Sequence, residues 1–119
     1  MSLIRRDVTA APGPIMSRAV IRGDTVYLSG LVARDRKGDI RAQTRDILEQ
    51  IDGYLERAGS SRAKLLQANL WITDMANFRA MNEIWNGWVD PENPPVRACV
   101  QAGLAHPDLL VEIMVTAAI

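Results

Sequence analysis

The chain has 119 residues, 48% of them apolar and 24% charged, with 14 basic side chains against 14 acidic ones. A length below roughly 150 residues predicts one domain over residues 1–119, able to bury about two-thirds of the surface its unfolded chain exposes. Zero net charge gives no general attraction to phosphate backbones or anionic lipid, so nucleic acid and membrane are disfavoured as partners, and Cys99, the one cysteine, excludes an intrachain disulfide or a CxxC pair.

The start, Met1 to Asp7, has no apolar stretch of the signal-peptide kind, and no run approaches the roughly 20 residues of a membrane helix; a cytoplasmic protein is expected. Ala11-Pro12-Gly13-Pro14 reads as the first break. Ser17 to Arg22 then reads as a strand, Gly23-Asp24 as a tight turn, and Thr25 to Ser29 as a second strand ended by Gly30. Beyond the charged segment Arg34 to Asp39 the period changes: Ile47, Leu48, Ile51, Leu55 and Ala58 fall at helical spacing, and Gly59 is placed to end the helix.

Lys64 to Thr73 alternates as a strand, with Leu66, Ala68, Leu70 and Ile72 on one face and Gln67, Asn69, Trp71 and Thr73 on the other. Asp74 is placed to cap a second helix with Phe78, Met81, Trp85 and Trp88 as its apolar positions, and Pro91, Pro94 and Pro95 prevent its continuation. Val96 to Ala102 sets Val96, Ala98 and Val100 against Arg97, Cys99 and Gln101. Leu110 to Ala118 sets Val111, Ile113 and Val115 against Glu112, Met114 and Thr116. Two helices with several strands define an α+β fold. The apolar strand faces are expected under the helices. The mixed second face, carrying Gln, Asn, Trp, Arg, Cys, Glu and Met, suits a subunit interface or a cleft between subunits, and a homo-oligomer is expected.

Common catalytic sets are missing. His106, the one histidine, cannot build a multi-imidazole metal site within a chain, and beside Pro107 it reads as a turn residue. There is no GxGxxG, Walker or GxSxG motif. Cys99 reads as a small buried thiol rather than a nucleophile. Arg97 carries more: at the start of a strand, after Pro94-Pro95, and expected on the same face as Glu112, it can hold a small carboxylate through two parallel N–H bonds. A structural Arg97–Glu112 ion pair stands as the alternative.

Pro95-Val96-Arg97-Ala98-Cys99-Val100, then Gly103, then Val111-Glu112-Ile113, resembles the C-terminal signature of the RidA/YjgF family. Gly13-Pro14, Tyr27-Leu28-Ser29-Gly30, Ala42-Gln43-Thr44-Arg45 and Asn82 extend the resemblance over almost the whole chain. It implies a chorismate-mutase-like homotrimer with helices outside a central barrel of sheets and three clefts between subunits. It also implies hydrolysis of enamines and imines such as 2-aminoacrylate to a 2-keto acid and ammonia, with no metal or organic cofactor. On that resemblance Arg97 binds the substrate carboxylate, Glu112 positions water or relays a proton, and Ser29, Gly30, Asn82 and Cys99 line the cleft. Ile15 departs from the aromatic that often follows Gly-Pro in the family. Leu104-Ala105-His106-Pro107 replaces the family's Leu-Pro turn and puts the histidine on a loop. The alternative is a non-catalytic trimer that binds a 2-keto or amino acid or docks on a partner enzyme; a ribonuclease or translation-inhibitor role, attached to some relatives, is disfavoured by neutral charge.

Overall fold

The computed structural model describes residues 2–119. The Gly23-Asp24 reversal joins two antiparallel strands, β2 (Ser17–Arg22) and β3 (Thr25–Leu28), with Arg22 opposite Thr25. Gly23 sits at φ +59°, a region glycine enters without a Cβ clash. Two further strands were not legible in the pattern: β1 (Leu3–Val8), whose six residues are all exposed, and the two-residue β4 (Leu31–Val32). Neither has the alternation of a half-buried strand, and both form because a neighbour supplies a ladder. β1 pairs with β2, and β4 pairs with the last strand, β7 (Val111–Ala118).

Helix α1 (Ile40–Arg57) starts where the Asp39 carboxylate accepts the Ala42 N–H at 2.9 Å. Ile47, Leu48, Ile51 and Leu55 form its buried stripe. It ends as Gly59 predicts: at φ +81° this residue donates to the Glu56 carbonyl at 3.0 Å while Ser60 donates to Leu55 at 2.8 Å. Those two bonds are the paired closure of a helix that turns left-handed after its last residue. The Asp74 carboxylate accepts the Ala76 N–H at 2.9 Å, capping a short 3₁₀ turn, Met75–Asn77, that runs directly into helix α2 (Phe78–Trp88). Met81, Trp85 and Trp88 of α2 are buried.

The strands form one mixed sheet in the order β1-β2-β3-β7-β5-β6, with β5 (Leu65–Ile72) antiparallel to β7 and parallel to β6 (Val96–Gln101). The parallel pair requires a crossover, and α2 is that crossover. Val26, Leu28, Leu70, Ile72, Val111, Ile113 and Val115 pack on one face of the sheet against the two helices as the core.

Two sequence expectations change. In β5 the register slips between Leu65 and Gln67, so Leu65 takes the inward position and Leu66 stands 49% exposed instead of joining Ala68, Leu70 and Ile72. In β6 the apolar side faces outward: Val96 is 71% and Val100 51% exposed, while Arg97 and Cys99 are half-buried on the helix side. The parallel register sets Arg97 beside Ala68 and Cys99 beside Leu70, which fixes that orientation.

Gln43, fully buried near the start of α1, joins the two loops that flank this helix and β7. Its Nε2 donates to Gly38 O at 3.0 Å and Asp108 O at 2.9 Å, and its Oε1 accepts the Leu110 N–H at 2.9 Å. Gln43→Ala leaves these part-buried backbone groups without their partner, at a cost of about 1 kcal/mol each. A loss of about 3 kcal/mol is expected in urea unfolding at fixed protein concentration.

Candidate active site

Arg97 enters the structure from an edge strand. Small Ala68 beside it leaves room for the arginine stem, and α2 closes over the guanidinium. Nη2 donates to Asn82 Oδ1 at 2.7 Å, and the guanidinium carbon lies 5.4 Å from the Trp85 ring centroid and 5.9 Å from that of Phe78. Rings at this distance attract the cation without neutralising it. Among the described residues no carboxylate lies within ion-pair distance of Arg97. Cys99, two residues along on the same face, is a free, half-buried thiol whose pKa burial pushes up, with Arg97 opposing the shift. An unactivated thiol is what that balance leaves.

Glu112 lies on the other face of the sheet. It stands opposite Trp71 of β5 and Val32 of β4, whereas Arg97 shares the face of Ala68 and Leu70. The expectation that Arg97 and Glu112 share a face is therefore wrong, and so is an Arg97–Glu112 ion pair within one chain. Val96, Ala98 and Val100 form the uncovered side of β6, because β6 pairs in phase with β5, where Ala68, Leu70 and Ile72 define the inward positions.

The Glu112 carboxylate rests on Gly30: a Cβ built on that glycine would lie 2.1 Å from Oε2. A hydrogen is all that fits there. Next to Gly30, the Ser29 Oγ is enclosed and has no hydrogen-bond partner. Burial raises the Glu112 pKa, and no cation stands within ion-pair distance of it among the described residues to offset this. Raised in the folded state, the carboxyl favours folding fully below the ordinary glutamate pKa of about 4.3, and that contribution is lost as pH rises through the folded value. Glu112→Gln is accordingly expected to raise the Tm at neutral pH, by less than about 1 kcal/mol of stability after solvent screening. The two melting curves should converge near pH 4.

The predicted residues thus fall into two groups. Arg97, Asn82 and Cys99 lie together between β6 and α2; Ser29, Gly30 and Glu112 lie together at the β3–β4 junction on the opposite face. Asn82, expected among the cleft-lining residues, contacts Arg97 directly as its hydrogen-bond acceptor. Phe78 and Trp85, which the helical spacing marked only as apolar positions, are the rings against Arg97. Ile15 is 75% exposed in the segment before β2. His106 accepts the Asp108 N–H on Nδ1 at 3.1 Å, which ties the ring to its own turn.

A mixed sheet with two helices on one face, with Arg97 and Glu112 on its opposite sides, defines a small α+β protein. Residues 9–119 match the family described as Endoribonuclease L-PSP. The RutC family protein YoaB of Escherichia coli strain K12 is 39% identical over 119 residues, covering 100% of both chains. A RutC family protein of Haemophilus ducreyi is 38% identical over 103 residues, 87% of this chain and 88% of that protein. The crystal structure of NMB1025, a YjgF family member from Neisseria meningitidis, matches with a TM-score of 0.92 at 37% identity, covering 99% of this chain and 95% of that one. The chain belongs to this family, the RidA/YjgF family of the resemblance above.

No helix among the described residues is long and apolar enough to cross a membrane.

Proposed function

We propose that this protein hydrolyses reactive enamine and imine intermediates such as 2-aminoacrylate to 2-keto acids and ammonia, acting in the cytoplasm as a homotrimer with its active sites between subunits. The observation that carries this reading is Arg97: a half-buried guanidinium aligned by Asn82 and two rings, with no carboxylate of the chain upon it. A charge held that way is suited to an incoming carboxylate. The opposite placement of Glu112 supports the shared site. One protomer cannot bring both groups to one small substrate, and the face that carries Glu112 also leaves Tyr27 and Met114 exposed. A second copy seated on it would cover those side chains and could set its Arg97 against the first copy's Glu112.

The chemistry asks little of the side chains. The enamine tautomerises to the imine; water oxygen bonds to the imine carbon, and the C–N bond breaks as nitrogen takes up protons and leaves as ammonia. Arg97 holds the carboxylate in place, and Glu112, with its pKa raised, takes a proton from the attacking water and returns it toward the departing nitrogen. The family description Endoribonuclease L-PSP names a different reaction; at zero net charge this chain has no long-range attraction for RNA.

The test is ammonia or keto-acid release from freshly generated 2-aminoacrylate, with wild type, Arg97→Ala and no protein. Acceleration by wild type alone is the expected result. Equal rates in all three, from protein shown to be folded and trimeric, would leave small-ligand binding as the function.

A further inference from the structure

A pocket of about 230 Å³ lies between β1, β2 and the C-terminal end of α1, lined by neither Arg97 nor Glu112. Ala19, Ile21 and Ala58 give it apolar surface; Arg6, Asp7, Tyr54 and Arg57 supply its polar groups. At roughly 30 Å³ per water it holds a molecule of a few heavy atoms.

Its unpaired guanidiniums are gathered around one aromatic ring, Tyr54. Arg34, Arg41 and Arg62 each have a carboxylate partner within 2.6 to 2.8 Å. Arg6, Arg18 and Arg57 have none within ion-pair distance among the described residues, and these three converge on Tyr54. The Arg57 guanidinium carbon stacks 4.6 Å from the Tyr54 ring centroid, which fixes the plane of its fork. Arg6 spends one proton on the Arg57 carbonyl at 2.9 Å, a helix-end contact that leaves its other donors free. Arg18 lines a second hollow that shares the same tyrosine, with Gln50 and Arg34. The opposing charge in the pocket is Asp7, held at φ +50° within β1, a conformation L residues take rarely.

We propose that this pocket binds a small organic carboxylate, with Arg57 and Arg6 on the carboxylate, Arg18 adding to the positive field, and Ala19 and Ile21 against the ligand's apolar end. Helix-end neutralisation accounts for Arg6 and not for Arg18, which lies on β2. An apolar floor beneath unpaired guanidiniums selects a compact organic anion over a hydrated inorganic one.

The inference is independent of the proposed catalytic reading, and its test removes that site. Full-length Arg97→Ala protein is titrated with pyruvate by calorimetry, with pyruvamide, its uncharged amide, as control. Saturable pyruvate binding is expected, with none for pyruvamide, and adding Arg57→Gln should weaken it about tenfold or more, the loss of a charge-assisted hydrogen bond. Glutamine is a good helix former, and Arg18→Gln in β2 is a second variant expected to weaken binding in the same direction. Absence of saturable binding in Arg97→Ala, equal binding of pyruvamide, or pyruvate binding unchanged in both glutamine variants overturns the proposal.

Discussion

Replacing Arg97 with lysine is expected to lower kcat/KM for 2-aminoacrylate about tenfold or more, and replacement with alanine about a hundredfold or more, measured as ammonia release under identical enamine generation. Lysine retains the charge but presents a point donor, so two parallel bonds to one carboxylate are lost and with them the orientation of the reacting carbon. Asn82 sharpens the argument. As a neutral acceptor 2.7 Å from Nη2 it holds the guanidinium while leaving its charge unspent. Asn82→Ala should raise KM by letting Arg97 swing, whereas Asn82→Asp should be the worse variant, because a carboxylate at the same place pairs with Arg97 and competes with substrate. If Asn82→Asp matched wild type in KM, Arg97 would not be the carboxylate clamp.

The sequence pattern showed the parts of the fold that local chemistry dictates. Gly23 and Gly59 both occupy left-handed backbone, Asp74 accepts an N–H group at the turn that opens α2, and Ile47, Leu48, Ile51 and Leu55 all point inward. What local pattern did not carry is pairing. β1 and β4 exist only through the ladders they share with β2 and β7, and the two-sided alternation of Val96 to Gln101 could be read in either phase until its parallel register with β5 was known. The candidate site suffered from the same ambiguity. Arg97, Asn82, Ser29, Gly30 and Glu112 were each legible through the family signature, but which of them meet is a matter of register, and register separates them into two groups.

Gly30 gives the second large effect, because it isolates the placement of Glu112 from its chemistry. The backbone at residue 30 is not in the left-handed region, so alanine is conformationally tolerated there. Its methyl group is not: the added carbon would fall 2.1 Å from Glu112 Oε2, and the flexible carboxylate must retreat by more than about 1 Å to reach ordinary contact. A misplacement of that size can cost on the order of a hundredfold in a positioned reaction, while the fold, with only the end of one side chain displaced, should keep its Tm to within a few degrees. Glu112→Gln should also lower kcat more than it raises KM, since glutamine can hold water but cannot take its proton. The decisive measurement is the double variant. If Gly30 acts by seating Glu112, Gly30→Ala will cost little further turnover once residue 112 is glutamine, and the two single losses will not add. Full additivity would mean that the hydrogen at residue 30 makes room for substrate itself rather than for the carboxylate that serves it.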